Sequence, residues 1–169
     1  MTEDGTISKY TYNNALTIAL ISGDFALAKD FLENYKNNLP AKERKNTYNY
    51  NLANFYFSKE EYESVLDLLQ QVQFRDVLYN LHTRRMQMCA YYELREYKMP
   101  DSAPDSFQVF LSGRHDLGYH KLNYLNLVKF TRKLLAVRHL KEGKAELVSQ
   151  IKNTKSLAYK EWLLKKSEE

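Results

Sequence analysis

Leu52-Ala53-Asn54-Phe55-Tyr56-Phe57-Ser58-Lys59-Glu60-Glu61-Tyr62-Glu63-Ser64-Val65 decides the fold. It reads as an aromatic-rich helix, a short polar break and the opening of a second helix. The stretch from Ala15 to Ala28 says the same upstream, with Gly23-Asp24-Phe25 at its break, and Met88 to Tyr97 opens a third copy. The acid-then-aromatic pairs Asp24-Phe25, Glu61-Tyr62 and Glu96-Tyr97 recur about every 35 residues, a period of stacked helical hairpins and not of a compact enzyme core.

Composition agrees. The chain has 169 residues, 44% hydrophobic and 27% charged, which is an ordinary globular balance. Only five glycines and three prolines interrupt it, and that scarcity favours long helices over turn-rich β structure. Fourteen tyrosines suit half-buried helix faces, where a ring packs and a hydroxyl stays wet. The single cysteine, Cys89, allows no internal disulfide and no cysteine metal cluster. Met1 to Gly5 lacks the basic and apolar regions of a signal peptide, and no apolar run is long enough to span a bilayer, so a cytoplasmic protein is expected. The net charge of +4 is uneven. Lys121, Lys129, Arg132, Lys133, Arg138, Lys141 and Lys144 lie beyond Pro100 with few acids between them. Their helical spacing reads first as a solvated face, and second as a surface for nucleic acid or an acidic partner.

The helices follow from periodicity and punctuation. The first spans about Ser8 to Ser22, is stopped by a left-handed Gly23, and hands over to Asp24 as cap of a helix carrying Phe25, Ala28, Phe31, Leu32 and Tyr35. Pro40 closes that unit, and the next helix is expected from Asn46 or Thr47. After the break at 58–61 a helix carries Tyr62 to Val72, and another runs from about Asp76 to Leu94. Pro100 and Pro104 cannot both sit inside one helix, so a loop should reach Ser102, which caps a short helix with Pro104 in its first turn. Gly113 to Gly118 is a further break. A long helix comes next over 119–140, closed by Gly143, then a short one with Leu147 and Ile151, and a last one holding Leu157, Tyr159, Trp162 and Leu164.

These residues resemble the tetratricopeptide repeat, whose pattern is W-x2-L-G-x2-Y…A-x3-F…P. Leu52-Ala53 stands at the L-G pair, Tyr56 at the aromatic, Val65 at the alanine and Leu69 at the later apolar place. Ala28, Leu32 and Pro40 fall in register with A, F and P, while Met88 and Tyr91 fit the first helix of the third unit. Pro100 and Pro104 replace apolar places there, and nothing after Gly113 matches cleanly. The wording from Tyr48 to Glu96 and around Trp162 is similar to uncharacterised bacterial repeat proteins of the Bacteroidetes type. The resemblance implies an all-α fold: a right-handed solenoid of stacked antiparallel hairpins forming one repeat domain over 1–169. Its units would cover about 8–40, 46–75 and 77–112, with degenerate helices over 117–167. The chain opens directly on a repeat and so fits the C-terminal portion of a longer solenoid.

No catalytic pattern emerges, and no enzyme is expected. H-E-x-x-H, a phosphate-cradling glycine loop and G-x-S-x-G are all missing from the sequence. His115, Asp116 and His120 fall short of a closed metal site, so no metal or cofactor is expected. Cys89 reads as a small packed residue. By the register of the resemblance, a concave groove would present Asn13 and Thr17, then Tyr50, Asn54 and Phe57, then His82, Arg85, Cys89 and Tyr92. That aromatic and polar set suits an extended peptide or a partner helix. A carboxylate clamp is not expected. Asn51 matches one of its places, but Asn13, Thr17, His82 and Met86 stand at the others. The expected function is protein–protein interaction or scaffolding without catalysis. The alternatives are nucleic-acid or acidic-partner binding through the basic half, or a purely structural oligomerisation element.

Overall fold

The computed structural model describes residues 5–96, 104–140 and 143–169, and every regular element among them is helical. The chain divides into two compact units, Met1–Tyr97 and Lys98–Glu169. The first contains α1 (Lys9–Ile21), α2 (Phe25–Tyr35), a 3-10 turn (Lys36–Asn38), α3 (Ala41–Ser58), α4 (Tyr62–Leu69) and α5 (Val77–Glu93). The second contains α6 (Pro104–Ser112), α7 (Tyr119–Val137), α8 (Lys144–Asn153) and α9 (Lys160–Glu168).

The recurring sequence pair is a recurring turn. At the end of α1, Gly23 is left-handed (φ 75°), its N–H reaches the Leu20 carbonyl at 3.1 Å, and the Asp24 N–H reaches the Ala19 carbonyl at 3.2 Å. At the end of α3, Glu60 (φ 61°) and Glu61 repeat both bonds, to Phe57 at 3.1 Å and Tyr56 at 3.0 Å. At the end of α5, Arg95 (φ 60°) and Glu96 repeat them again, to Tyr92 at 3.1 Å and Tyr91 at 2.9 Å. This double bond onto the last carbonyls is a Schellman stop. The acid is the residue just past the left-handed one. Asp24 caps the next helix, its Oδ1 accepting from the Leu27 N–H at 2.8 Å, while Glu61 stands before α4 without a side-chain cap bond. Tyr97 itself lies outside the described residues.

Only the first of these stops carries glycine. A side chain at left-handed φ costs on the order of 1 kcal/mol, part of which glycine would return through its own loss of freedom. Arg95→Gly is therefore expected to stabilise the unit by about 0.5–1 kcal/mol. Gly23→Ala, which meets no atom within 4 Å, should destabilise it through backbone strain alone. Urea midpoints of the two variants check this; shifts of the same sign would remove the turn as the cause.

Small residues bring the helices of the first unit together. Ala19, Ala28, Ala53 and Ala90 are buried at the contacts, and aromatic and branched side chains fill the space between. One cluster joins Ile7, Tyr12, Leu16, Leu32, Leu39 and Phe55, and another joins Tyr50, Val65, Leu66, Leu69, Tyr79, Met86 and Tyr91. Helix α1 meets α2 and α3, and α3 meets α2, α4 and α5. The odd helices therefore lie side by side, while each even one bridges its two neighbours in sequence.

The structure corrects two boundaries here. Helix α4 stops at Leu69, short of Val72. Helix α3 starts at Ala41, not at Asn46 or Thr47. Pro40, with φ −52° and extended ψ, precedes the helix as its cap residue. Proline at a helix start loses no backbone bond, so it opens α3 as much as it closes the unit before.

In the second unit α7 meets α6, α8 and α9 over a core of Phe107, Leu111, Tyr124, Leu127, Val128, Leu134, Ile151 and Leu163. Pro104 is the first residue of α6, as expected, while the cap expected at Ser102 and Pro100 lie outside the described residues. Helix α7 ends at Val137, short of Leu140, and Gly143 (φ 89°) opens α8 instead of closing α7. Helix α9 starts only at Lys160. Leu157 and Tyr159 precede it because Tyr159 is itself left-handed (φ 57°), and α7 holds the incoming segment through Asn126 Nδ2 to the Ser156 carbonyl at 2.8 Å. No helix among the described residues is long and apolar enough to cross a membrane.

Candidate binding surface

Side-by-side packing of α1, α3 and α5 brings two pairs of the expected groove residues together, Tyr50 with His82 and Phe57 with Arg85. Asn13 is the junction. Its Nδ2 donates to the Tyr79 hydroxyl at 2.7 Å, and its Oδ1 accepts from Asn51 Nδ2, so one amide ties the three helices. Asn51 also donates to the Thr47 carbonyl at 2.7 Å, which satisfies a buried amide on its own helix. The hydroxyl of Tyr50 meets His82 Nδ1 at 3.3 Å, linking α3 to α5. The Arg85 guanidinium carbon stands 5.7 Å from the Phe57 ring centroid, a second α3–α5 link, of cation–π type.

The surface is graded in exposure. Thr17 and His82 are exposed, and Asn13, Asn54, Phe57 and Tyr92 are half-buried. Tyr50 and Arg85 are only 4% and 8% exposed, so they support the surface from beneath. Tyr50 packs edge-on against Phe74 and Tyr79, with centroids 5.5 and 5.1 Å away. The Thr17 hydroxyl turns back to the Asn13 carbonyl at 2.8 Å, and Asn54 Nδ2 bonds the Tyr50 carbonyl within α3 at 3.0 Å. Those two side chains are thus not drawn into cross-helix links by these bonds.

Sequence reasoning did not place Tyr79 in the groove, although it is the hub. Its ring is buried, stacks on Phe74 at 4.7 Å and carries Lys9 Nζ 5.5 Å from its centroid. Burial, more than the neighbouring Tyr50 and Tyr10, pushes its hydroxyl well above the usual tyrosine range, so it stays protonated and able to donate onward. The available signal was its position one helical turn before His82 on α5.

Cys89 lies on the same helix, fully enclosed. Burial pushes its thiol up to about 12, against the opposing pull of Arg85. At neutral pH it is a packed thiol with negligible thiolate. Elsewhere, Arg114 pairs with Asp116 at 3.0 Å, His115 is exposed, and the His120 ring lies 4.0 Å from Tyr119. No group of three metal-ligating side chains occurs among the described residues.

The cations of the second unit are largely engaged within it. Lys121 Nζ donates to the Arg114 carbonyl at 2.7 Å and to the Ser112 carbonyl at 3.3 Å, at the end of α6. Arg132 Nε bonds Asp105 at 2.9 Å, and its Nη1 bonds Gln108. Lys133 bonds Gln150, and Arg138 Nη1 bonds the Leu135 carbonyl at 2.6 Å. Lys129 remains exposed, and Lys141 lies outside the described residues. Compared with family models, curated proteins and solved structures, the chain matches none.

Proposed function

We propose that the first unit is a protein-interaction module of tetratricopeptide-repeat type, stacked as a right-handed solenoid, that takes a peptide or partner helix on the surface of α1, α3 and α5. The observation that carries this reading is the lateral contact of the three odd helices, tied by Asn13, Asn51 and Tyr79. A surface held by cross-helix bonds is rigid before its partner arrives, and that lowers the ordering cost of binding. The three equal Schellman stops support a repeating hairpin as the building unit. The same module serves as a scaffold, acts without catalysis, and suits a reducing compartment such as the cytoplasm.

Nucleic-acid binding through the second unit is the weaker reading. Cations already bonded to helix ends and side-chain acceptors must give up those bonds to meet phosphate.

The test is selection of a random peptide library on the intact chain, followed by affinity measurement on two variants. Thr17→Arg/His82→Glu alters exposed positions of the surface and spares the buried Tyr50 and Arg85. Asp30→Arg/Glu63→Arg alters exposed positions of α2 and α4. Selected peptides are expected to lose about tenfold or more in affinity, roughly 1.4 kcal/mol, on the first variant and to bind the second unchanged. Equal loss on both variants, or no enriched peptide at all, overturns the reading.

A further inference from the structure

We propose that the cleft between the 3-10 turn and the first two turns of α3 is a binding site for a phosphate monoester carried on a small flat apolar body. The cleft is a shallow one open to solvent, of about 350 Å³, the low end of small-ligand pockets, and Lys36, Ala41, Arg44, Lys45, Tyr48 and Asn49 line it. The α3 residues stand at i, i+3, i+4, i+7 and i+8, so one helix face supplies them all.

Charge defines what fits. Arg44 spends Nε and Nη2 on neutral acceptors, the Leu39 carbonyl at 3.2 and 3.0 Å and the Asn37 carbonyl at 2.9 Å. These bonds fix the guanidinium at the cleft and leave its charge uncompensated. Lys45 is exposed and makes no hydrogen bond or ion pair among the described residues. Lys36 is neutralised by Glu33 at 2.7 Å, and Glu33 also holds Lys29 at 3.2 Å and accepts from the Tyr48 hydroxyl at 2.7 Å. Lys29, Lys36, Arg44 and Lys45 against the one carboxylate of Glu33 leave three positive charges, an excess that suits a phosphate dianion. The Lys36 bond, then Tyr48, then Lys29 lower Glu33 to about 2, so it is ionised at neutral pH and counts fully in that balance.

The walls define the rest of the ligand. Tyr48 offers a ring, with Lys36 Nζ 5.5 Å from its centroid, and Ala41 and the lysine stems are apolar. Asn49 is 8% exposed and lines the cleft, and its amide donates to Gln71 Oε1 in a long bond of 3.5 Å. A phosphate ester oxygen would offer that amide a shorter one. The site is independent of the peptide surface proposed above.

Phenyl phosphate, inorganic phosphate and phenol, titrated into the ¹⁵N-labelled full chain at pH 7.5 and constant ionic strength, test this through amide shifts over 36–49. Phenyl phosphate is expected to give saturable shifts there and to bind at least about fivefold tighter than inorganic phosphate, with phenol silent. Lys45→Gln should weaken it at least about fivefold, while Lys42→Gln, on the same helix but outside the cleft, should leave it unchanged. Glu33→Gln should tighten it about threefold by releasing Lys36, a gain that misfolding cannot imitate. The site is overturned by unsaturable shifts, by equal loss in Lys42→Gln and Lys45→Gln, or by weaker binding in Glu33→Gln.

Discussion

Tyr12→Ala is expected to cost the first unit about 3–5 kcal/mol, the range for deleting a fully buried aromatic side chain. Tyr12 has no exposed surface. Its ring lies 5.0 Å from that of Phe31, and its hydroxyl donates to the Leu32 carbonyl at 2.8 Å across the α1–α2 hairpin. Truncation removes the ring from a cluster that also holds Leu16, Ala28 and Leu32, and leaves a polar carbonyl inside. A domain of this size is stable by only about 5–15 kcal/mol in all, so a single change consumes a large share of it. Tyr12→Phe separates the two contributions. It keeps the ring and removes the hydroxyl, and should cost about 1–2 kcal/mol through the unmet carbonyl. Urea denaturation followed by circular dichroism reads both. A Tyr12→Ala loss below about 1 kcal/mol would mean that the hairpin repacks around the gap and that α1 is not a fixed member of the stack.

The helical hairpins were legible because their ends are written in residue types. Ser8, Asp24 and Asp76 each accept a backbone N–H in the first turn of the helix they precede, and each has the chemistry to do so. Gly23 announces its left-handed turn. Glu60 and Arg95 do not, because the third and fifth helices reach the same geometry with residues that do not favour it. Their equivalence was readable only through the acid that comes after each. Pro40 misled for a related reason: the residue that ends one helix also starts another, and its identity serves both roles.

The surface was less legible than the helices. Helix α3 is flanked by α1, α2, α4 and α5, and its buried residues, Thr47, Asn49, Tyr50, Asn51, Ala53 and Phe55, lie on most of its sides. A helix buried in this way has no single apolar stripe to orient it, so its sequence does not separate inward Tyr50 from half-exposed Phe57. Polar residues are buried there with their bonds met inside the fold, as those of Asn51 are on Thr47 within α3 and on Asn13 across to α1. Tyr79 was missed because its role depends on Asn13, 66 positions earlier, and sequence spacing carries no signal of that pairing.

Cys89 offers a second large effect and tests whether the first unit behaves as one body. Its thiol is pushed up to about 12 by burial and has no exposed surface. At pH 8 its thiolate fraction is about a thousandfold below that of a free cysteine, before access is considered. Iodoacetamide should therefore label the native chain at least about a thousandfold more slowly than the urea-unfolded chain, and only through opening of the fold. The rate then becomes a measure of stability at α5. Tyr12→Ala acts in the α1–α2 cluster, while Cys89 lies on α5, so the two sites report on different helices. If the unit opens cooperatively, Tyr12→Ala must accelerate Cys89 labelling about tenfold for each 1.4 kcal/mol lost in urea. Acceleration well short of that would make the hairpins separate folding units joined through α3, the nearest-neighbour behaviour of a repeat stack. Native labelling near the unfolded rate would instead refute the buried position of Cys89 and, with it, the packing of α5 that sets Arg85 beneath the surface and His82 on it.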